Sequence, residues 1–153
     1  VQMALGGGNP ILGNHKSGHC HACETAIVTQ SISYNGYHIK LKCMTNCRSK
    51  NIIYLILCPC ELGYVGETGR EFRTRYAEHK SCIRTKKQLA PMVSHCLAMS
   101  HTEKELRWVV IEKTRDTNVI NNECKRKQRE TYWIFTLKSH QTGLNEELQW
   151  DIF

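Results

Sequence analysis

The chain has 153 residues, of which 21 are Lys or Arg and 14 are Asp or Glu, so its formal net charge is +7. A hydrophobic content of 41% beside 23% charged residues excludes disorder over most of the length and any collagen-like repeat, and it favours one folded domain. The longest apolar run, residues 52–57, is far shorter than the roughly 18 to 20 residues of a membrane-spanning helix, so we expect no membrane partner.

The first part of the chain divides into two segments. Residues 1–18 are Gly-rich and aperiodic, which predicts a flexible lead-in. Residues 19–50 gather cysteines and histidines around a polar stretch in which Asn35-Gly36 is a strong hairpin turn signal. This segment is predicted to be a small zinc-binding appendage. Because the chain begins with Val and shows no signal peptide, we expect it to be a piece of a longer protein.

Residues 51–153 are predicted to form one α+β domain with a small three-stranded sheet flanked by helices. Strands at 52–58 and around 64–65 form a hairpin, and residues 70–85 follow as an amphipathic helix with Phe72, Tyr76, His79 and Ile83 on one face. A shorter helix is expected from Pro91 to Met99 and a third strand at 106–111. A long final helix is capped by Asp116, Thr117 or Asn118 and stopped by Gly143.

Nine cysteines and eight histidines are the most unusual part of the composition. An odd number of cysteines in a chain of this length fits zinc binding in a reducing, intracellular compartment better than a disulfide scaffold. Cys20 and Cys23 form a C-x₂-C pair, and Cys47 follows at a spacing typical of zinc sites. Cys43, His19 and His21 remain alternatives for the fourth ligand, and a loop of free thiols is the competing interpretation.

The net positive charge indicates a polyanionic partner. Basic residues concentrate around Arg70, Arg73 and Arg75 and again at 125–127, at the start of the final helix. Such clusters are the usual electrostatic signature of nucleic-acid binding, although a solvated basic face gives the same pattern. Nucleic acid is therefore the class of partner that the charge favours, without a distinction between DNA and RNA.

Two tyrosine motifs in the hairpin resemble a known family. Ile53-Tyr54 in the first strand and Tyr64-Val65-Gly66 in the second resemble the paired signature of the GIY-YIG endonucleases. The resemblance continues in order along the chain with Arg75, His79, Glu130 and Asn145. The sequence departs from the family where Ile52 replaces the first glycine and Val65 replaces isoleucine.

The sequence is more similar still to one branch, the C-terminal endonuclease domain of Penelope-like retroelements. Residues 57–68 and 143–148 carry this likeness. It implies that a reverse transcriptase domain precedes the chain and that the protein acts in the nucleus. It also implies that the protein nicks target DNA to prime reverse transcription and meets the element's own RNA through the rest of the polyprotein.

The resemblance implies a role for each matched residue. Tyr54 and Tyr64 supply or assist the base, Arg75 holds a phosphate, and His79 polarises a tyrosine hydroxyl or contacts phosphate. Asn145 orders the site by hydrogen bonds, and Gly66 belongs to the binding motif. Glu130 would hold one Mg²⁺ or Mn²⁺ ion. The competing interpretation of Glu130 is a surface carboxylate paired with Arg126.

The same branch implies a structural zinc ion inside the domain. Its ligands would be Cys58 and Cys60, which lie between the two tyrosines, together with His95 and His101. The competing interpretation is that Cys58 is a buried apolar residue and that His95 is an ordinary surface residue. Together with the N-terminal site, this second site predicts two Zn²⁺ ions per chain. Three further cysteines are assigned to neither site: Cys82, Cys96 and Cys124.

Three functions are compatible with the sequence. The first is a metal-dependent DNA endonuclease of a retroelement. The second is a zinc-containing module that binds nucleic acid without cleaving it. The third is a repair or junction-resolving nuclease of the same fold.

Overall fold

A computed structural model describes residues 11–86, 90–115 and 118–146 as a mixed α+β fold. Its strands are β1 (Gly13–Asn14), β2 (Ser31–Tyr34), β3 (Tyr37–Lys40), β4 (Met44–Thr45), β5 (Ile52–Leu57), β6 (Gly63–Thr68) and β7 (Arg107–Lys113). Its α-helices are α1 (His21–Glu24), α2 (Phe72–Thr85), α3 (Pro91–Ala98), α4 (Val119–Leu137) and α5 (Ser139–Thr142). A short 3₁₀ helix occupies Glu103–Glu105.

The central sheet has three antiparallel strands in the order β6-β5-β7, which confirms the predicted hairpin and third strand. All six residues of β5 are buried, because this strand lies in the middle of the sheet and both of its faces are covered. Alternate side chains of β5 therefore enter two separate apolar clusters.

The two faces of the sheet are covered by different elements. Tyr54 and the other β5 side chains on the same face of the sheet pack against α2 and α3. Leu55 and its neighbours pack against α4 and against the hairpin of β2 and β3. The Asn35-Gly36 turn of that hairpin has positive φ angles of 51° and 81°, as its two-residue loop requires.

The helices on the first face follow the sequence pattern closely. The four residues predicted to line one side of α2 are all buried: Phe72, Tyr76, His79 and Ile83. Pro91 stands at the first turn of α3, where its missing N–H costs no hydrogen bond. Within the described residues no helix combines the length and apolar character needed to cross a bilayer.

The final helix starts as predicted but ends earlier. Asn118 caps α4 by accepting a hydrogen bond of 3.0 Å from the backbone N–H of Asn121, whereas the other two cap candidates, Asp116 and Thr117, lie outside the described residues. The helix ends at Leu137, because Lys138 has a left-handed φ of 54°. Gly143 therefore terminates the short helix α5 and not the long helix, which corrects the predicted stop signal.

The N-terminal segment is more ordered than the sequence suggested. Residues 1–10 lie outside the described part of the chain, but Gly13 and Asn14 form β1, which pairs in parallel with β4. Asn14 is buried, and its side-chain amide donates a 3.0 Å hydrogen bond to the carbonyl of Ile27. The prediction of a flexible lead-in is therefore wrong for these residues.

The cysteine-rich segment packs into the same core as the sheet. The indole N–H of Trp108 in β7 donates a 2.7 Å hydrogen bond to the carbonyl of Ala22. The hydroxyl of Tyr34 accepts a 2.7 Å bond from the backbone N–H of Gly63 at the start of β6. Because these contacts join it to two strands of the sheet, this segment is part of the domain core and not a loosely attached appendage.

Candidate active site and metal centres

The centre of the candidate active site is a buried pair formed by Tyr54 of β5 and His79 of α2. The Tyr54 hydroxyl and Nε2 of His79 share a hydrogen bond of 2.8 Å. Tyr54 is fully buried and His79 is 8% exposed. Burial and the neighbouring guanidinium of Arg75 lower the pKa of His79 to about 3. His79 is therefore a neutral imidazole at neutral pH.

Tyr64 of β6 lies beside this pair and is partly exposed. Its ring centroid is 5.1 Å from that of His79 and 6.5 Å from that of Tyr54. Tyr64, His79, Arg75 and Asn145 line a cleft of about 740 Å³, here called the tyrosine cleft. The two tyrosines that the sequence singled out are thus brought together, with Tyr64 facing the cleft and Tyr54 behind it.

Both tyrosines hold their protons more tightly than free tyrosine does. Burial raises the pKa of Tyr54, and the adjacent Tyr64 adds to the effect while Arg75 opposes it. Burial also raises the pKa of Tyr64, with Glu130 adding to the effect and Arg75 opposing it. Both hydroxyls are therefore protonated at neutral pH unless further positive charge is brought to the cleft.

Arg75 supplies the positive charge of the cleft. Its Nη1 donates a 2.8 Å hydrogen bond to Glu78, and its side chain is 36% exposed. Burial disfavours its charge, but the bond to Glu78 and the two tyrosines outweigh that effect and raise the pKa of Arg75. Arg75 is thus a permanent cation whose charge acts on both tyrosines.

Glu130 of α4 is a largely buried carboxylate, since its side chain is only 18% exposed. Burial raises its pKa, while the ammonium of Lys127, 3.8 Å away, opposes the effect. Arg126, the partner weighed for Glu130 from the sequence, instead donates a 2.8 Å bond to Glu67 of β6. Glu130 is therefore not the exposed, Arg126-paired carboxylate of the competing interpretation.

Asn145 ties the C-terminal loop to the edge strand β6. Its Oδ1 accepts a 2.8 Å hydrogen bond from the N–H of Val65, and its Nδ2 donates a 2.9 Å bond to the Val65 carbonyl. Both bonds lie next to Tyr64 in the chain. Asn145 thus fixes the backbone that carries Tyr64, which agrees with its predicted ordering role.

Gly66 has a packing role. It pairs across the hairpin with Tyr54, and a Cβ atom at this position would lie 2.5 Å from Cζ and from the hydroxyl of Tyr54. Only glycine leaves room for the tyrosine ring to reach His79. The structure gives Gly66 this steric function.

Four side chains meet where the hairpin turn approaches α3, and we call them the hairpin zinc site: Cys58, Cys60, His95 and His101. Cys58 lies 3.4 Å from Nε2 of His95, and Cys60 lies 3.0 Å from Nε2 of His101. Sulfur and nitrogen ligands of a tetrahedral Zn²⁺ are separated by about 3.5 Å, given the usual metal-ligand bond lengths. The donor set and spacing therefore fit zinc, as predicted.

A second cluster, the N-terminal zinc site, consists of Cys20, Cys23 and Cys47. Its three sulfur-to-sulfur distances are 3.3, 3.4 and 3.7 Å. Sulfurs around a tetrahedral Zn²⁺ are about 3.8 Å apart, so this cluster can also hold zinc. Cys43 is exposed and lies outside the cluster, as do His19 and His21, so the assignment of Cys43 as a ligand is wrong.

Ser17 is the residue at this site that the sequence did not indicate. Its hydroxyl lies 2.9 Å from the sulfur of Cys47 and 3.5 Å from that of Cys23. Burial opposes ionisation of Cys23, but hydrogen bonds from Ser17 and Cys20 outweigh it and lower the Cys23 pKa to about 6. A serine carries no metal-binding signature, and only its spacing three residues before Cys20 could have drawn attention to it.

No family model matches the sequence, and neither the curated proteins nor the solved structures contain a match. Function must therefore be inferred from the side chains described above.

Proposed function

We propose that this protein is a metal-dependent DNA endonuclease of the GIY-YIG type, which nicks DNA by hydrolysing a phosphodiester bond. The observation that supports the proposal most is the buried hydrogen bond between Tyr54 and His79, with Tyr64 and Arg75 against it at the wall of one cleft. Residues far apart in sequence thus bring together two tyrosines, a neutral imidazole and a fixed cation, and this combination supports a role in phosphate chemistry.

Each residue has a role that follows from its position. Tyr64 reaches the cleft and is the group that meets the attacking water. Arg75 binds the phosphate, because its planar guanidinium matches two phosphate oxygens and its charge offsets the negative charge of the transition state. Tyr54 and neutral His79 hold each other through their shared hydrogen bond and pack against Tyr64, which fixes the position of its ring. Tyr64 would accept the proton of the water as a phenolate, once positive charge from Arg75 and a divalent ion at Glu130 lowers its pKa.

Glu130 is the candidate ligand for a divalent ion. Its largely buried carboxylate has a raised pKa, and a nearby cation would favour its charged form. Among the described residues, Glu130 belongs to no cluster of three metal-binding side chains. A single carboxylate suits Mg²⁺, because this ion often binds one protein carboxylate and keeps most of its water ligands. A bound Mg²⁺ or Mn²⁺ would supply positive charge to the phosphate and the leaving oxygen.

The wider biological assignment is part of the same proposal. We infer that the nick supplies a 3′ hydroxyl for target-primed reverse transcription by a Penelope-like retroelement, in the nucleus, with the element's RNA brought by the rest of the polyprotein. The two zinc sites stabilise the scaffold, since one joins the hairpin to α3 and the other joins α1 to the loop before β5.

The test is conversion of supercoiled plasmid to open circles by the zinc-loaded chain with Mg²⁺. Arg75→Ala and Glu130→Ala are expected to slow nicking at least about 100-fold, since each removes charge stabilisation from the transition state. Arg84→Ala and Glu123→Ala are matched controls, because both residues are exposed and lie on the same two helices. These controls should nick at the wild-type rate.

The outcomes separate the three functions. A wild-type chain that retards the plasmid on a gel but leaves it intact contradicts the nuclease proposal and supports a non-catalytic nucleic-acid-binding module. Faster cleavage of four-way junctions than of linear duplex of equal length supports a junction-resolving nuclease.

A further inference from the structure

A second concavity lies away from the tyrosine cleft, and we call it the basic groove. It has a volume of about 720 Å³ and runs between β3 with the following residues 41–45, the end of β7, and one side of α4. Because β7 and β6 are opposite edges of the sheet, the basic groove opens beside one edge and Tyr64 lies on the other edge strand. None of the residues that line the groove has a role in the proposed cleavage.

The groove is strongly positive. Six cationic side chains line it: Lys40, Lys42, Lys113, Arg115, Lys125 and Arg129. Glu112 is the single carboxylate among the lining residues, all of which belong to the described part of the chain. Both oxygens of Glu112 accept 2.7 Å hydrogen bonds from Arg129, so this charge is already neutralised. The five remaining cations are exposed and favour a polyanion.

Aromatic rings stand among these cations. Tyr37 and Tyr132 are 40% and 43% exposed. Trp133 packs edge-on against both rings, which holds them in place. The guanidinium of Arg129 lies 4.3 Å from the centre of the Tyr132 ring and supports it from one side.

The indole of Trp133 has an unpartnered donor. Its Nε1 is buried and has no hydrogen-bond partner among the described residues. Trp133 is 7% exposed and is one of the residues that line the groove. A buried N–H without a partner is unfavourable, so an acceptor group that reached it on binding would be stabilised.

We propose that the basic groove binds single-stranded DNA. Cations alone would suit a duplex backbone, but exposed tyrosine rings between them fit unstacked bases, which a duplex keeps inside. An acidic peptide would match the charge and leave the rings unused. The choice of DNA over RNA rests on the proposed nuclease function, because a nick creates a DNA strand end that can unpair from the duplex near the enzyme.

Binding is measured by fluorescence anisotropy of a labelled thymidine oligonucleotide of about 12 residues with the zinc-loaded chain, without added Mg²⁺, so that no cleavage is needed. Lys42→Glu and Lys125→Glu should each weaken binding at least about fivefold and reduce the salt dependence of log Kd by about 0.7 or more. Lys104→Glu is the matched control, because Lys104 is exposed and outside the groove. Tyr132→Ala should weaken binding by about fivefold or more through lost stacking.

A second measurement locates the strand without any substitution. Cys43 is exposed, lines the groove and lies outside both zinc sites, so its alkylation by iodoacetamide reports on occupancy. The single-stranded oligonucleotide should slow this alkylation several-fold, whereas an equal length of duplex or a poly-glutamate peptide should not.

Four results would overturn the proposal. In the binding assay, the proposal fails if Lys104→Glu weakens binding as much as the groove variants do, or if the matching RNA binds more tightly than the DNA. In the alkylation assay, it fails if saturating oligonucleotide leaves the rate at Cys43 unchanged, or if duplex or poly-glutamate slows that rate as much as the single strand does. Failure of the plasmid nicking assay is a separate result, because the groove is tested without cleavage.

Discussion

The hydroxyl of Tyr54 and Nε2 of His79 share a 2.8 Å hydrogen bond inside the domain, with Arg75 close to both. Burial and that guanidinium lower the His79 pKa to about 3 from an ordinary value of 6.5. We predict that the ring nitrogens of His79 keep the NMR shifts of neutral imidazole down to pH 5. Protonation of His79 between pH 6 and 7 would contradict the buried pair.

The same shift affects the stability of the fold. Below pH 6.5 the unfolded chain takes up a proton at His79 that the native chain refuses until about pH 3. The free energy of unfolding therefore falls as the pH is lowered through this window, by about 1.4 kcal/mol per pH unit from this group. Between denaturant titrations at pH 6.5 and at pH 5.5, the free energy of unfolding should fall less for His79→Gln than for wild type. An equal fall in both proteins would contradict the buried pair of Tyr54 and His79.

Gly66→Ala is predicted to destabilise the domain and to disturb Tyr54. The added Cβ would lie 2.5 Å from the Tyr54 hydroxyl, so the ring or the strand must move. Overpacking of this kind costs about 1 to 3 kcal/mol. The matched control is Gly18→Ala, because a Cβ at Gly18 meets nothing within 4 Å. Equal unfolding midpoints in urea for the two variants would show that the close packing against Gly66 is absent.

Metal analysis of the purified chain should give two Zn²⁺ ions. Cys58→Ser and Cys23→Ser should each lower the content to one, since each removes a thiolate from a different cluster. Cys124→Ser is the control, because Cys124 is exposed and in neither cluster. Each zinc-site variant should also melt at least about 5 °C below the control. A zinc content near zero in the wild-type chain would remove both sites.

Asn145→Asp is predicted to loosen the C-terminal loop from β6. The aspartate can still accept from the N–H of Val65 but cannot donate to the Val65 carbonyl, which leaves one of two bonds. The loss should be about 1 kcal/mol of unfolding free energy, and Asn145→Ala should lose about twice as much. Hydrogen exchange at the Val65 amide should accelerate more in the alanine variant. Unchanged exchange in both would mean that Asn145 does not hold the edge strand.

Local patterns in the sequence were enough to predict the central elements. An unbroken apolar run predicts β5, the glycines around Tyr64 predict β6, and the helical spacing of Phe72 and Tyr76 predicts α2. The histidines and cysteines of the hairpin zinc site were implied by the resemblance to the Penelope-like nucleases, and their residue types are ones that bind zinc. The strand and helix signals depend only on neighbours in the chain.

Features that depend on distant partners could not be predicted in this way. The placement of Asn14 in β1 depends on Thr45, whose hydroxyl donates to it from 31 residues away. From the sequence, Glu130 was the partner considered for Arg126, because it lies one helical turn along the chain. Arg126 instead pairs with Glu67, which is 59 residues away. The failure of Cys43 to join the other cysteines likewise reflects the path of the loop before β4 and not its spacing.

The most direct test of the proposed catalytic site is the single-turnover rate of plasmid nicking by Tyr64→Phe with Mg²⁺. Thr85→Val is the matched control, because it removes an exposed hydroxyl and keeps the shape of the side chain, and Thr85 lines neither the tyrosine cleft nor the basic groove. Loss of a group that transfers a proton in the transition state slows a reaction by about 10² to 10⁴. We predict a loss in that range for Tyr64→Phe and none for the control. Equal nicking rates for Tyr64→Phe and wild type would contradict the assignment of the tyrosine cleft as the active site.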